Sequence, residues 1–235
     1  MDSTFKFYSQ IIDKMIDEKT FWRYYFPSPY NMDYGQEIDR NTWFSCGATR
    51  GCIISNECDE VIKFTFEDGN ECENELNTYA AAKREGLAFC FVPCRYIGTY
   101  ERDVWVLENW DEAAEQTSFS SDPDEWDSVV EDEENVVRKH IYLPLYAYSK
   151  IDADDGDLYC DELSPEERNF CRNTESPLTE RSYKVGTEFL REYGKDLFMK
   201  LSQFCHDWEV NDLHSGNVGY LNGHVVILDY AGYWR

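Results

Sequence analysis

Long apolar segments are absent from this sequence. No run of residues approaches the roughly 18–20 apolar positions that a membrane-spanning helix needs. Residues 1–6 show no basic stretch leading into an apolar core, so we expect no secretory signal. These absences predict a cytoplasmic protein without a membrane partner.

Basic residues are scarce, since 22 Lys and Arg stand against 47 Asp and Glu and the formal charge is −25 over 235 residues. Nucleic acids and anionic membranes need a cationic surface, so we expect no direct binding to either. A basic protein surface or a cationic small molecule remains open as a partner. The 42% apolar and 16% aromatic content excludes a disordered acidic chain.

Paired cysteine motifs are also lacking. The nine cysteines include no CxxC pair, and their number is odd. This pattern favours reduced, buried thiols over a disulfide framework or a zinc site.

Changes in composition and periodicity divide the chain into four predicted parts: 1–41, 42–110, 111–134 and 135–235. The first holds an amphipathic helix and a loop, and the second is rich in strands. The third carries eleven acidic residues and no Lys or Arg, which indicates a solvated insert. The fourth is predicted to be mainly helical.

The local patterns inside the second part are specific. Glu71 to Gly86 is predicted to be a helix that stops at its glycine. The apolar runs Phe89–Val92 and Val104–Leu107 are predicted to be strands.

The last part shows a helical pattern over Tyr183–Trp208, with a break or kink at Gly194. A polar loop follows. Asn222-Gly223 then separates two apolar runs, which predicts a two-residue β-hairpin because both turn positions favour positive φ.

Asp212, Asn217 and Asp229 are the residues that carry chemistry. Asn217 follows Asp212 by five positions, and the predicted hairpin returns Asp229 beside Asn217. Two carboxylates and an amide oxygen suit Mg²⁺ held against phosphates. The alternative is an ordinary set of turn-capping side chains.

This constellation resembles the catalytic loop and metal-binding aspartate of the protein-kinase-like superfamily, closest to its aminoglycoside-phosphotransferase-type and small prokaryotic or phage branches. The resemblance implies an α+β, two-lobed protein-kinase-like fold with a truncated carboxy lobe, binding ATP and Mg²⁺. It implies that Asp212 orients the acceptor hydroxyl while Asn217 and Asp229 hold the metal. A wholly different α+β fold is the alternative.

The upstream half matches the family in the same order. Lys63, inside an apolar strand, resembles the lysine that grips the nucleotide phosphates, and Glu75 resembles the glutamate that pairs with it. Glu71 and Glu73 compete with Glu75 for this role.

Two weaker matches complete the resemblance. Gly47 and Gly51 resemble a shortened glycine-rich hairpin over the phosphates, where Arg50 is either a phosphate contact or a surface residue. Glu108 and Asn109 resemble the hinge that binds an adenine ring.

Several departures qualify the resemblance. Val210 stands where many kinases have a histidine, and Tyr230-Ala231 replaces Phe-Gly after the metal aspartate. His214 is expected to brace the catalytic loop through its ring nitrogens. The departures favour an inactive kinase-like binding module as an alternative to a phosphotransferase. The acidic composition leaves a further alternative, an acidic decoy that binds a basic surface of a partner protein.

Overall fold

The structure, a computed structural model, describes residues 2–17, 36–46, 50–65, 70–107, 136–151, 164–181 and 183–231. These residues form both helices and strands, so the predicted α+β class is confirmed at that level. They fall into two units, one of Met1–Gly69 with Tyr96–Ala147 and one of Asn70–Arg95 with Tyr148–Arg235.

The first unit is built on a sheet whose strands are β1 (Gln36–Asp39), β2 (Thr42–Cys46), β3 (Arg50–Ser55), β4 (Glu60–Thr65), β5 (Cys94–Leu107) and β6 (Val136–Ser149). They lie in the order β1-β2-β3-β4-β6-β5. The first four form antiparallel pairs, with Phe44 opposite Ile53 and Ile53 opposite Ile62. Cross-strand pairs of this kind place apolar side chains on one face of the sheet.

Helix α1 (Ser3–Asp17) covers that apolar face. Tyr8 and Ile12 lie one turn apart on the helix and are fully buried. They belong to the same core cluster as Ile62 and Phe64 of β4. Each such side chain contributes about 1.5–3 kcal/mol when it leaves water, so apolar contact holds the helix on the sheet.

The described residues of the second unit form four α-helices and a hairpin: α2 (Glu71–Glu85), α3 (Pro165–Asn173), α4 (Pro177–Glu180), α5 (Tyr183–Asp207), β7 (Val218–Leu221) and β8 (His224–Ile227). Helix α2 stops where predicted, at Gly86 with φ 72°. Helix α5 breaks where predicted, at Gly194 with φ 76° and ψ 172°. None of the helices that the structure describes is both long and apolar enough to cross a membrane.

The prediction of a strand over Phe89–Val92 is wrong. Ala88–Cys90 forms a short 3₁₀ helix, and Phe91 makes only an isolated bridge to Ile227. Cys90, Phe91 and Val92 are all buried, whereas a strand on a half-solvated sheet alternates. Because these three consecutive residues are buried, they form an apolar run that the sequence pattern alone cannot distinguish from a strand.

The part predicted to be mainly helical begins with a strand. Val136–Ser149 forms β6, which lies between β4 and β5. The run Ile141–Tyr146 is strongly apolar, but its partner strand β5 precedes the acidic segment, whose residues lie outside the described ones. Pairing across such a separation leaves no local signal.

Candidate active site

The loop that holds Asp212 begins with a tight turn at the end of α5. Glu209 takes the left-handed conformation with φ 55°, and the Val210 N–H donates to the Cys205 carbonyl at 2.8 Å. This pattern closes a helix end and reverses the chain. Val210 is fully buried, so an apolar residue suits the position that the resemblance gives to histidine.

Asp212 and Asn217 are bonded to each other. The Asn217 Nδ2 donates to the Asp212 carbonyl at 2.8 Å and to its Oδ2 at 3.1 Å. Both amide N–H groups are therefore used within the loop, and the Asn217 Oδ1 is the atom that remains to accept or to ligate. A side-chain oxygen presented in this way suits a hard cation.

His214 braces the same loop. Its Nδ1 accepts from the Gly216 N–H at 3.0 Å, and its Nε2 lies 3.9 Å from the Asp212 Oδ1. Because Nδ1 accepts, the neutral ring carries its proton on Nε2, the nitrogen nearer to Asp212. This bond is the bracing contact predicted from the sequence.

The β7–β8 hairpin places Asp229 next to this loop. Its turn is Asn222-Gly223, with φ values of 53° and 79°, and Val218 lies opposite Ile227. The Leu228 N–H donates to the Asn217 carbonyl at 2.9 Å. Asp229 is therefore one residue beyond a backbone bond to Asn217, as the predicted hairpin requires.

Glu75 is fully buried on α2. Its Oε1 accepts from the Tyr230 backbone N–H at 2.8 Å, and its Oε2 accepts from the Tyr148 hydroxyl. The Tyr230 N–H belongs to the residue after Asp229. Glu75 thus ties α2 to the turn that carries the predicted metal ligand.

The hydroxyl groups of Tyr148 and Tyr230, the two tyrosines around Glu75, stay protonated and act as hydrogen-bond donors. Burial raises the pKa of the Tyr148 hydroxyl well above its usual value, and the adjacent Glu75 carboxylate raises it further. The same causes raise the pKa of Tyr230, whose hydroxyl donates to the Val92 carbonyl at 2.8 Å. Sequence reasoning missed both as partners of Glu75, because no spacing signal connects the Tyr148 hydroxyl or the Tyr230 backbone N–H to α2.

Lys63 belongs to the first unit. It is half-buried on β4 opposite Cys52, between the core residues Ile62 and Phe64. Because side chains alternate along a strand, Lys63 points to the sheet face away from α1. Glu75, the partner that the resemblance assigns to it, lies in the second unit.

Gly51 has a packing explanation. A Cβ placed there would lie 2.6 Å from the Phe64 ring and 3.1 Å from the Phe44 ring. The position faces the core, within strand β3, and Arg50 begins that strand. Gly47 lies outside the described residues.

Replacing Gly51 by Ala is therefore expected to destabilise the protein by about 1–3 kcal/mol, the usual cost of overfilling a packed core. Urea denaturation would measure the loss. Cys52→Ala, at the half-buried neighbouring position on the other face, is the control and should change stability little. Unchanged stability of the Gly51 variant would contradict the packing explanation.

Glu108 and Asn109 lie outside the described residues. The chain passes from the first unit to the second at Gly69–Asn70 and again at Ala147–Tyr148, within β6. The hinge expected at Glu108 and Asn109 therefore stays a prediction.

Arg181 was not predicted. It caps the C-terminus of α4, and its Nη1 forms an ion pair with the Asp212 Oδ1. The Asp212 side chain is only 16% exposed, whereas that of Arg181 is 46% exposed. No spacing signal connects two residues that different elements bring together.

Among the residues that the structure describes, no group of three or more His, Cys, Asp or Glu side chains is arranged to hold a metal ion. A metal site formed by one Asn and one Asp side chain, with phosphate and water as the other ligands, is not a group of this kind. A groove of about 460 Å³ lies in the second unit near the turn of the β7–β8 hairpin, at the end away from Asn217. None of the predicted site residues lines this groove.

No family model matches the chain, and no curated protein sequence is significantly similar to it.

Proposed function

We propose that the chain is a kinase-like phosphotransferase that moves the γ-phosphoryl group of Mg-ATP to a hydroxyl. The observation that carries the proposal is the bonded pair Asp212–Asn217, with Asp229 one residue beyond the Asn217–Leu228 backbone bond. The proposal includes a two-lobed protein-kinase-like fold and an acceptor that is a protein or a cationic small molecule.

Asn217, Asp229 and Asp212 have different roles in the proposed transfer. The Asn217 Oδ1 and the Asp229 carboxylate would hold Mg²⁺, because they present hard oxygens. Bound there, Mg²⁺ would neutralise charge on the phosphates. Asp212 orients the acceptor hydroxyl and takes its proton as the oxygen–phosphorus bond forms, and ADP leaves with the electrons of the broken bond.

Lys63 and Glu75 have supporting roles in this proposal. Lys63 sits on the strand that precedes α2, as the resemblance requires, and would position the phosphates. Glu75 would brace Lys63 while its Oε1 holds the Tyr230 N–H. Glu108 and Asn109, which the resemblance assigns to the hinge, would contact the adenine ring.

An inactive kinase-like binding module is the second candidate. The observation in its favour is that both Asp212 oxygens have partners, Asn217 on Oδ2 and Arg181 on Oδ1. With Arg181 in this position, an acceptor hydroxyl reaches Oδ1 only after it displaces the guanidinium. ATP binding without turnover would select this candidate.

Mg-ATP is expected to stabilise the folded chain, because a ligand that binds only the native state raises its stability by about 2.7 kcal/mol at 100 times Kd. Thermal unfolding with Mg-ATP, and with ATP plus EDTA, would measure the effect. Asp229→Asn should weaken the Mg-dependent part. Asp196→Asn, which removes an exposed charge from α5, is the matched control.

Failure of Mg-ATP to stabilise the chain would contradict both the phosphotransferase and the nucleotide-binding module. If that failure accompanied salt-sensitive capture of a basic protein, the acidic decoy would replace them.

A further inference from the structure

The short helix α4 places Arg181 beside Asp212. Helix α4 begins at Pro177, and its Ser176 cap accepts from the Leu178 N–H at 3.2 Å. The Ser202 hydroxyl of α5 bonds to the Ser176 hydroxyl at 2.7 Å in a buried position. These bonds anchor the short helix whose C-cap is Arg181.

Close packing adds to this anchoring. A Cβ at Gly186 would lie 2.4 Å from the Thr179 Cγ2 and 3.0 Å from the Leu178 carbonyl, so α4 and α5 approach as closely as glycine permits. Leu178 is fully buried and Thr179 is 7% exposed. The backbone of Arg181 is therefore positioned by the core, although its side chain reaches solvent.

The two Asp212 oxygens are held differently: Oδ2 accepts a hydrogen bond from Asn217, whereas the buried Oδ1 has the ion pair with Arg181 and no hydrogen bond from the described residues. Asn217 holds Oδ2, which leaves Oδ1 as the oxygen that an acceptor hydroxyl would use, and Arg181 occupies it. The Arg181 side chain is more exposed than that of Asp212, so its guanidinium can move into water without leaving its own charge buried.

We propose that Arg181 is a specificity-determining residue that withholds Asp212 from water until the acceptor displaces its guanidinium. The inference rests on the proposed function. It concerns the side reaction in which the oxygen of water bonds to the γ-phosphorus. The bond to the bridging oxygen breaks, ADP leaves with the electron pair, the water proton passes to Asp212, and inorganic phosphate is released.

Without the guanidinium, Asp212 Oδ1 is open to water. Suppose that Oδ1 is free of the guanidinium in about a tenth of the parent molecules and in nearly all molecules of the variant. The rate of ATP hydrolysis without acceptor then rises in the same proportion. The Arg181→Ala variant should therefore hydrolyse Mg-ATP about tenfold faster than the parent in the absence of any acceptor.

The experiment measures phosphate release from Mg-ATP by the parent, Arg181→Ala, Asp212→Asn and the double variant. Lys184→Ala, which removes an exposed cation three residues away, is the matched control and should match the parent. Millimolar guanidinium chloride should suppress the faster hydrolysis of Arg181→Ala, while the same concentration of sodium chloride should not. A merely structural role for Arg181 would not produce this rescue.

The outcomes separate the two proposals. If Mg-ATP stabilises the protein but Arg181→Ala hydrolyses it no faster than the parent, the role of Arg181 is overturned and the phosphotransferase stands. An increase that persists in the double variant also overturns it, because Asp212 is then not the group exposed. If no variant binds or hydrolyses Mg-ATP, the proposed function fails and this inference fails with it.

Discussion

Asp212→Asn is expected to reduce phosphoryl transfer by about 10²–10⁴-fold, the range typical for loss of a positioned general base. The amide keeps the size of the carboxylate and can still accept the Asn217 Nδ2 bond that the structure gives to Oδ2. What it loses is the capacity to take a proton. Mg-ATP binding, which the proposal assigns to Asn217 and Asp229, should therefore be retained.

Transfer can be followed with γ-labelled ATP, as autophosphorylation and as labelling of basic proteins and cationic hydroxyl compounds. Asp196→Asn provides the control for loss of one carboxylate on the same unit. Undiminished transfer by Asp212→Asn would remove Asp212 from the mechanism. Parallel loss of Mg-ATP binding would instead show that the substitution disturbs the loop.

Glu75→Ala is expected to lower the free energy of unfolding by about 3–5 kcal/mol. Two buried donors, the Tyr148 hydroxyl and the Tyr230 N–H, would lose their acceptor. Each buried polar group left unsatisfied costs about 1–3 kcal/mol. The truncated side chain also leaves a cavity at a fully buried position.

Chemical denaturation would measure this loss, and Glu73→Ala is the matched control because Glu73 is exposed on the same helix. The control should change stability by no more than about 0.5 kcal/mol. Tyr148→Phe removes one of the two donors together with its need for an acceptor, so it should cost less than Glu75→Ala. Equal stability of the Glu75 and Glu73 variants would mean that the buried bonds carry no net stabilisation.

The elements that the sequence predicted well are those with a local cause. Asn222-Gly223 and Gly86 adopt positive φ, and Gly194 breaks its helix, because glycine and asparagine tolerate backbone angles that other residues avoid. The amphipathic spacing around Tyr8 and Ile12 likewise reports one buried helix face.

The elements predicted poorly depend on partners far away in the chain. Strand β6 pairs with strands on the other side of a long acidic segment, so its apolar run had no nearby partner to identify it. Phe89–Val92 was mistaken for a strand because three consecutive buried residues, Cys90, Phe91 and Val92, show no alternation that would reveal their conformation.

The sequence by itself determined the local half of the candidate site. Asp212, His214 and Asn217 lie within six consecutive residues, and a two-residue turn returns Asp229, so short-range bonds suffice to assemble them. Only the tertiary structure decided that Glu75 would hold the Tyr230 N–H, 155 positions away, and that Arg181 would meet Asp212. Such contacts arise from the packing of separate elements, whose alignment no local periodicity encodes.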